Sequence, residues 1–121
     1  MKKTAIIGAS PNPARYSYQA TLRLHSEGHH VLPLGINPGI IGVHNILDLR
    51  SRPSFDDVDT VTMYLAPHHQ MEWKDYIFSL KPNRIIFNPG AENSPFADLV
   101  SAQKIEVINA CTLVMLSVGN Y

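Results

Sequence analysis

The chain has 121 residues, 45% of them hydrophobic, which suits one core-bearing domain because domains cluster near ~100–150 residues. Its 10 lysines and arginines balance 10 aspartates and glutamates, so no basic excess points to nucleic acid or an anionic membrane, and an anionic ligand must be held by local groups. The apolar runs fall far short of the ~20 residues of a membrane span, the first is too short for a secretory signal, and the single cysteine, Cys111, cannot form an internal disulfide; the sequence reads as a cytoplasmic protein.

Residues Thr4 to Gly8 are apolar and β-rich and end in Gly-Ala-Ser-Pro, which predicts a buried strand. Tyr18, Leu22 and His25 or Ser26 then recur at helical spacing before the Gly28 of "EGHH", predicting a helix over 16–26. "HVLPLGI" restores an extended run, with Pro33 near its end or on a bulge. The segment from Asn37 to Phe55 has two prolines, two further glycines and no steady period, so a loop holding one short strand or turn is expected. "DVDTVTMYLAP" predicts the third strand and "PHHQMEWKDYIFSLKP" a helix after it. "NRIIFNPG" repeats the strand-to-glycine pattern, "ENSPFADLVSAQK" reads as a capped helix, "IEVINA" as a last strand and "CTLVMLSVGNY" as a short apolar helix.

Strands alternating with helices imply βαβ units, hence an α/β, doubly wound, Rossmann-like domain with a mainly parallel sheet of about five strands. Ligands of such sheets bind beyond the carboxyl ends of the strands, where "GASPNPARYS", "PLGINPG", "LAPHH" and "NPGAEN" all fall. A turn of Gly8, Ala9 and Ser10 into a helix directs backbone N–H groups and the positive helix end at one point, which suits phosphate. Ser10 and Ser17 add hydroxyls, and Arg15 adds a fork suited to two phosphate oxygens. The alternative is that the glycine and prolines only shape the connection and Arg15 is a solvated surface residue.

What is missing narrows the nucleotide. Ser10 and Pro13 replace the second and third glycines of the dinucleotide fingerprint, and no acid occurs between Gly28 and Asn45 to grip a ribose diol, so NAD is disfavoured. A Walker-type phosphate loop is absent as well.

The ordered turns "GASPNPARYS", "HVLPLGINP", "LAP" and "NPGAEN", with the ending "ACTLVMLSVGNY", resemble small stand-alone CoA-binding proteins, relatives of the CoA-binding Rossmann domain of the succinyl-CoA synthetase α subunit. The resemblance covers nearly the whole chain and implies that CoA or an acyl-CoA is the small-molecule nucleotide ligand. It implies Gly8, Ala9, Ser10, Asn12 and Arg15 around the phosphates, and Pro33, Asn37 and Pro38 along the adenosine. It further implies Ala66 and Pro67 under the next turn, and Asn88, Pro89 and Gly90 near the pantetheine. "PLGINP" stands where the family has a shorter Pro-x-Asn-Pro run. The synthetase's ligase activity, which uses a phosphorylated histidine in a following domain, is not expected here.

The remaining candidates have plainer readings. The adjacent pairs His29-His30 and His68-His69 lack the i, i+4 spacing of two metal ligands on a helix, and their members are expected to diverge, so no metal site is predicted. Cys111 is either a small buried residue or a thiol near the thiol end of CoA. Asp56, Asp57 and Asp59 delimit the third strand, and Glu92 suits a first helical turn. The expected protein is a CoA or acyl-CoA binding module without a visible catalytic set, a homodimer if the last helix is partly exposed. The alternatives are a small nucleotide- or CoA-dependent enzyme using Cys111 or a crevice histidine, and an interaction domain without ligand.

Overall fold

The computed structural model describes residues 1–121 and bears out the expected alternation of strands and helices. In chain order the elements are β1 (Lys3–Ile7), α1 (Tyr16–Ser26), β2 (His30–Gly35), β3 (Ile40–Ile41), β4 (His44–Asn45), β5 (Leu47–Asp48), β6 (Thr60–Met63), α2 (Pro67–Gln70), α3 (Lys74–Ser79), β7 (Arg84–Phe87), α4 (Ser94–Ala102), β8 (Glu106–Asn109) and α5 (Thr112–Val118). Six strands form one parallel sheet in the order β5-β2-β1-β6-β7-β8. This is the Rossmann-like α/β fold expected, with six strands where five were predicted.

The extra strand is Leu47–Asp48, which pairs with Leu34 and Gly35 at the end of β2. It lies in the stretch read as a loop, together with the antiparallel pair β3 and β4. Elements of two residues are too short to show a period, so no pattern in the sequence could reveal them. Pro33 lies near the end of β2, followed there by Leu34 and Gly35, and it pairs in regular register with Ile6, with no bulge. It is tolerated because β5 pairs only with Leu34 and Gly35, so no outer neighbour requires an N–H at position 33.

The central strands are buried on both faces, which explains their near-continuous apolar runs. Ala5, Ile7, Val61, Met63, Ile85 and Phe87 point to the face covered by Trp73, Tyr76, Ile77, Phe96 and Val100 from α3, α4 and the turn before α3. Ile6 and Val31 point to the other face, under Leu24 of α1 and Leu116 of α5. The helix expected after the third strand is broken into α2, a 3₁₀ turn over Met71–Trp73, and α3. The change follows Gln70, whose fully buried amide donates to the carbonyls of Leu65 (3.0 Å) and Ala91 (2.7 Å).

On the α1 and α5 side the sheet also carries polar groups. Arg84 Nε donates to Thr60 Oγ1 (2.8 Å), and its guanidinium lies over the Tyr121 ring at 4.6 Å. Tyr121 in turn bonds Thr4 through its hydroxyl and receives the Lys2 ammonium on its carbonyl (2.7 Å), so the two ends of the chain meet. No helix is long and apolar enough to cross a membrane.

Candidate functional site

Strand order reverses between β1 and β6, because β2 lies on one side of β1 while β6 and β7 extend on the other. At the carboxyl ends of these strands a cleft of about 390 Å³ opens between the turn after β1, the end of β2 and the turn after β6. Gly8, Ala9, Ser10, Arg15, Ser17, Asn37, Ala66 and Pro89 line it, as does Tyr64. The cleft thus gathers eight of the residues singled out in the sequence.

The turn after β1 is shaped from within. Gly8 has φ +100°, and a β carbon there would stand 3.1 Å from the backbone of Tyr64 and Leu65, so glycine lets the two turns approach. The N–H groups of Gly8 and Ala9 both donate to the Leu34 carbonyl (2.9 Å each), which ties this turn to β2. This corrects the expectation that they point at a phosphate: both donors are committed inside the protein. Ser10 Oγ accepts the Asn12 N–H (3.1 Å), and Asn12 Oδ1 accepts that of Ala14 (3.0 Å). Asn12 therefore folds the turn and does not line the cleft.

The free donors lie slightly further along. The N–H groups of Ser10, Tyr16 and Ser17 have no acceptor within the protein, the last two because they open α1. Arg15 is the N-cap residue, extended at φ −82° and ψ 143°, with no acid in the first turn beside it. The protein's two ion pairs, Arg23 with Glu27 and Lys74 with Asp75, leave its guanidinium free. Three amide donors and an unpaired guanidinium thus border one cleft, an arrangement that attracts an anion.

Other expected positions fall outside this cleft. Pro33 is buried in β2, and Pro38 lines a smaller adjoining cavity. Pro67 opens α2, where its carbonyl accepts from Asn93 Nδ2 (3.2 Å). Asn88 is 1% exposed and fully engaged: Nδ2 donates to Thr62 Oγ1 (2.7 Å) and the Met63 carbonyl (3.0 Å), and Oδ1 accepts the Thr112 N–H (2.9 Å). It joins β6, β7 and α5 and has no group left for a ligand. Gly90 is exposed at φ +91° and donates its N–H to Glu92 Oε1 (2.7 Å), while Asn93 is the side chain that caps α4.

Sequence reasoning missed Tyr64. Its hydroxyl is buried without a hydrogen bond, although it sits beside the Thr62 and Thr112 hydroxyls, which are committed to each other and to Asn88. Burial pushes this phenol well up from its ordinary value. No histidine or cysteine lines the cleft; Cys111 is half-buried at the start of α5. The pair His68-His69 departs from expectation, since its rings are 4.0 Å apart and do not diverge. His29 Nδ1 accepts the Lys2 N–H (3.0 Å), and an unforeseen bond of 2.9 Å joins His44 Nε2 to His25 Nδ1.

A parallel sheet with an anion-attracting cleft at the reversal of its strand order defines a nucleotide-binding domain of the doubly wound class. Residues 2–117 match the family described as CoA binding domain, and the chain belongs to that family. Among solved structures, an uncharacterized protein is 46% identical over 100% of this chain and 98% of its own, with a TM-score of 0.96. A conserved hypothetical protein from Pyrococcus furiosus is 26% identical over 94% of this chain and 98% of its own, with a TM-score of 0.77. A Thermus thermophilus protein at 18% identity, covering 99% of this chain and 90% of its own with a TM-score of 0.81, shares the fold. A search of curated proteins found no match.

Proposed function

We propose that the cleft binds CoA or an acyl-CoA, with the pyrophosphate received by the N–H groups of Ser10, Tyr16 and Ser17 and by the Arg15 guanidinium. One observation carries this reading: three amide donors without a protein acceptor and an arginine without a carboxylate border the same cleft. A dianionic pyrophosphate supplies the acceptors and the charge that this set lacks. Membership of the CoA binding domain family supports CoA as the nucleotide.

In this reading adenosine lies towards Asn37 and Pro38, and the pantetheine arm leaves past Ala66 and Pro89. The protein then acts as a binding module for this nucleotide. Calorimetric titration with CoA, acetyl-CoA and NAD tests it. Micromolar binding of either CoA form with much weaker NAD is the expected result, and the CoA to acetyl-CoA ratio then reports whether an acyl group is read. No heat with any of the three would refute it.

A further inference from the structure

Beside the main cleft a second cavity of about 210 Å³ opens where β2 and β5 end. The two share Gly35, Ile36 and Asn37 as a common wall, so an extended ligand can pass from one to the other. The remaining wall includes Asp48 and Arg50. Gly35 and Asp48 are register partners, so β5 sets this pair of charges directly beside the end of β2.

The geometry of the pair is built, not accidental to a mobile loop. Asp48 Oδ1 accepts the Arg50 N–H (3.0 Å), and the Asp48 carbonyl accepts the Ser51 hydroxyl (2.7 Å), which folds the short 3₁₀ turn Leu49–Ser51. Arg50 Nη1 donates to the Ile36 carbonyl (3.1 Å), the backbone of the shared wall. That is its only side-chain bond, and no carboxylate pairs with it. An arginine fork has five donors, so most remain available at the cavity.

In doubly wound domains the ribose of an adenosine rests beyond the end of the second strand, where a carboxylate takes free hydroxyls and an arginine takes a ribose phosphate. We propose that Arg50 receives the 3′-phosphate of the CoA adenosine in this second cavity and is the residue that distinguishes CoA from nucleotides without that phosphate. The inference rests on the CoA reading of the main cleft and adds to it the group that confers selectivity. A guanidinium held at the wall by one backbone bond presents its other edge to two phosphate oxygens, a geometry that lysine would not reproduce. Asp48, with one carboxylate oxygen committed to the turn, faces the neighbouring 2′-hydroxyl.

The test is calorimetric titration of wild type and Arg50→Ala with CoA and with dephospho-CoA, which differs only by the 3′-phosphate. Wild type is expected to bind CoA about 10- to 100-fold more tightly than dephospho-CoA, the scale of a charge-assisted bond pair, and Arg50→Ala to bind both alike at the wild-type dephospho-CoA affinity. Equal affinity of wild type for the two ligands, a preference for dephospho-CoA through Asp48, or a CoA preference that survives Arg50→Ala would each overturn the subsite while leaving the CoA reading intact. Failure of both ligands to bind wild type would overturn the CoA reading and the subsite together.

Discussion

Gly35 lies so close to Ala9 that a β carbon at position 35 would stand 2.2 Å from the Ala9 carbonyl oxygen. Together with the bonds from the Gly8 and Ala9 N–H groups to the Leu34 carbonyl, this contact fixes the turn after β1 against the end of β2. Gly35→Ala must therefore push the two backbones apart. A loss of about 2–4 kcal/mol in stability is expected, as for overpacking at a site that cannot give, along with weaker CoA binding. Urea titration and calorimetry of the variant check the two effects; unchanged stability would show that the turn is not held by this approach.

Arg15→Ala tests the charge at the cleft. Its side chain pairs with nothing in the protein, so stability should stay within about 0.5 kcal/mol of wild type while CoA affinity falls by about 1–3 kcal/mol. A variant that binds CoA as wild type does would remove Arg15 from the site.

Asn88→Ala should behave in the opposite way. It strands the buried Thr112 N–H and takes one of two partners from the Thr62 hydroxyl, which keeps Thr112 Oγ1, and a destabilisation of about 2–4 kcal/mol is expected from the unmade bonds. At temperatures where the variant is still folded, its CoA affinity should remain near that of wild type, which thermal melts and calorimetry together decide.

Two histidines and one aspartate set the pH dependence of stability. Burial lowers the pKa of His29, and burial aided by His25 and His30 lowers that of His44. Both take up protons more readily unfolded, so the stability tied to their neutral forms is present above about pH 6.5 and is lost as the pH falls below it. For Asp59, burial alone would raise the pKa, but hydrogen bonds from Thr60 and Asn83, with the charges of Lys2 and Arg84, outweigh it and hold the carboxyl below its usual value. Its contribution is present above about pH 4 and is lost as the pH falls further. Melting temperatures should therefore decline in two stages on acidification. His44→Gln should flatten the first stage and Asp59→Asn the second; an unaltered profile in either variant would contradict the assignment.

The fold was legible because its central strands, buried on both faces, write long apolar runs, and because Gly8, Gly28 and Gly90 punctuate them. The cleft residues were legible as a set, since turns at the carboxyl ends of parallel strands must converge. Their individual roles were not. Whether an amide at position 9 faces a ligand or the Leu34 carbonyl depends on how closely β2 approaches, and that distance has no signature in composition or period. Asn88 sits in the motif "NPG", which reads as a ligand turn, yet its side chain is consumed by partners on β6 and α5, far away in sequence. Asp48 and Arg50 were hidden for a simpler reason: the strand that carries them to the end of β2 is two residues long.

The position of the pyrophosphate decides between a ligand cleft and a mere connection, and amide chemical shifts recorded during titration of the ¹⁵N-labelled protein with CoA report it residue by residue. The largest changes are expected at Ser10, Tyr16 and Ser17, with smaller ones at Gly8 and Ala9, whose N–H groups stay on Leu34. Changes centred on the opposite end of the sheet, around Asp59 and Asn83, or no change at saturating CoA, would contradict it.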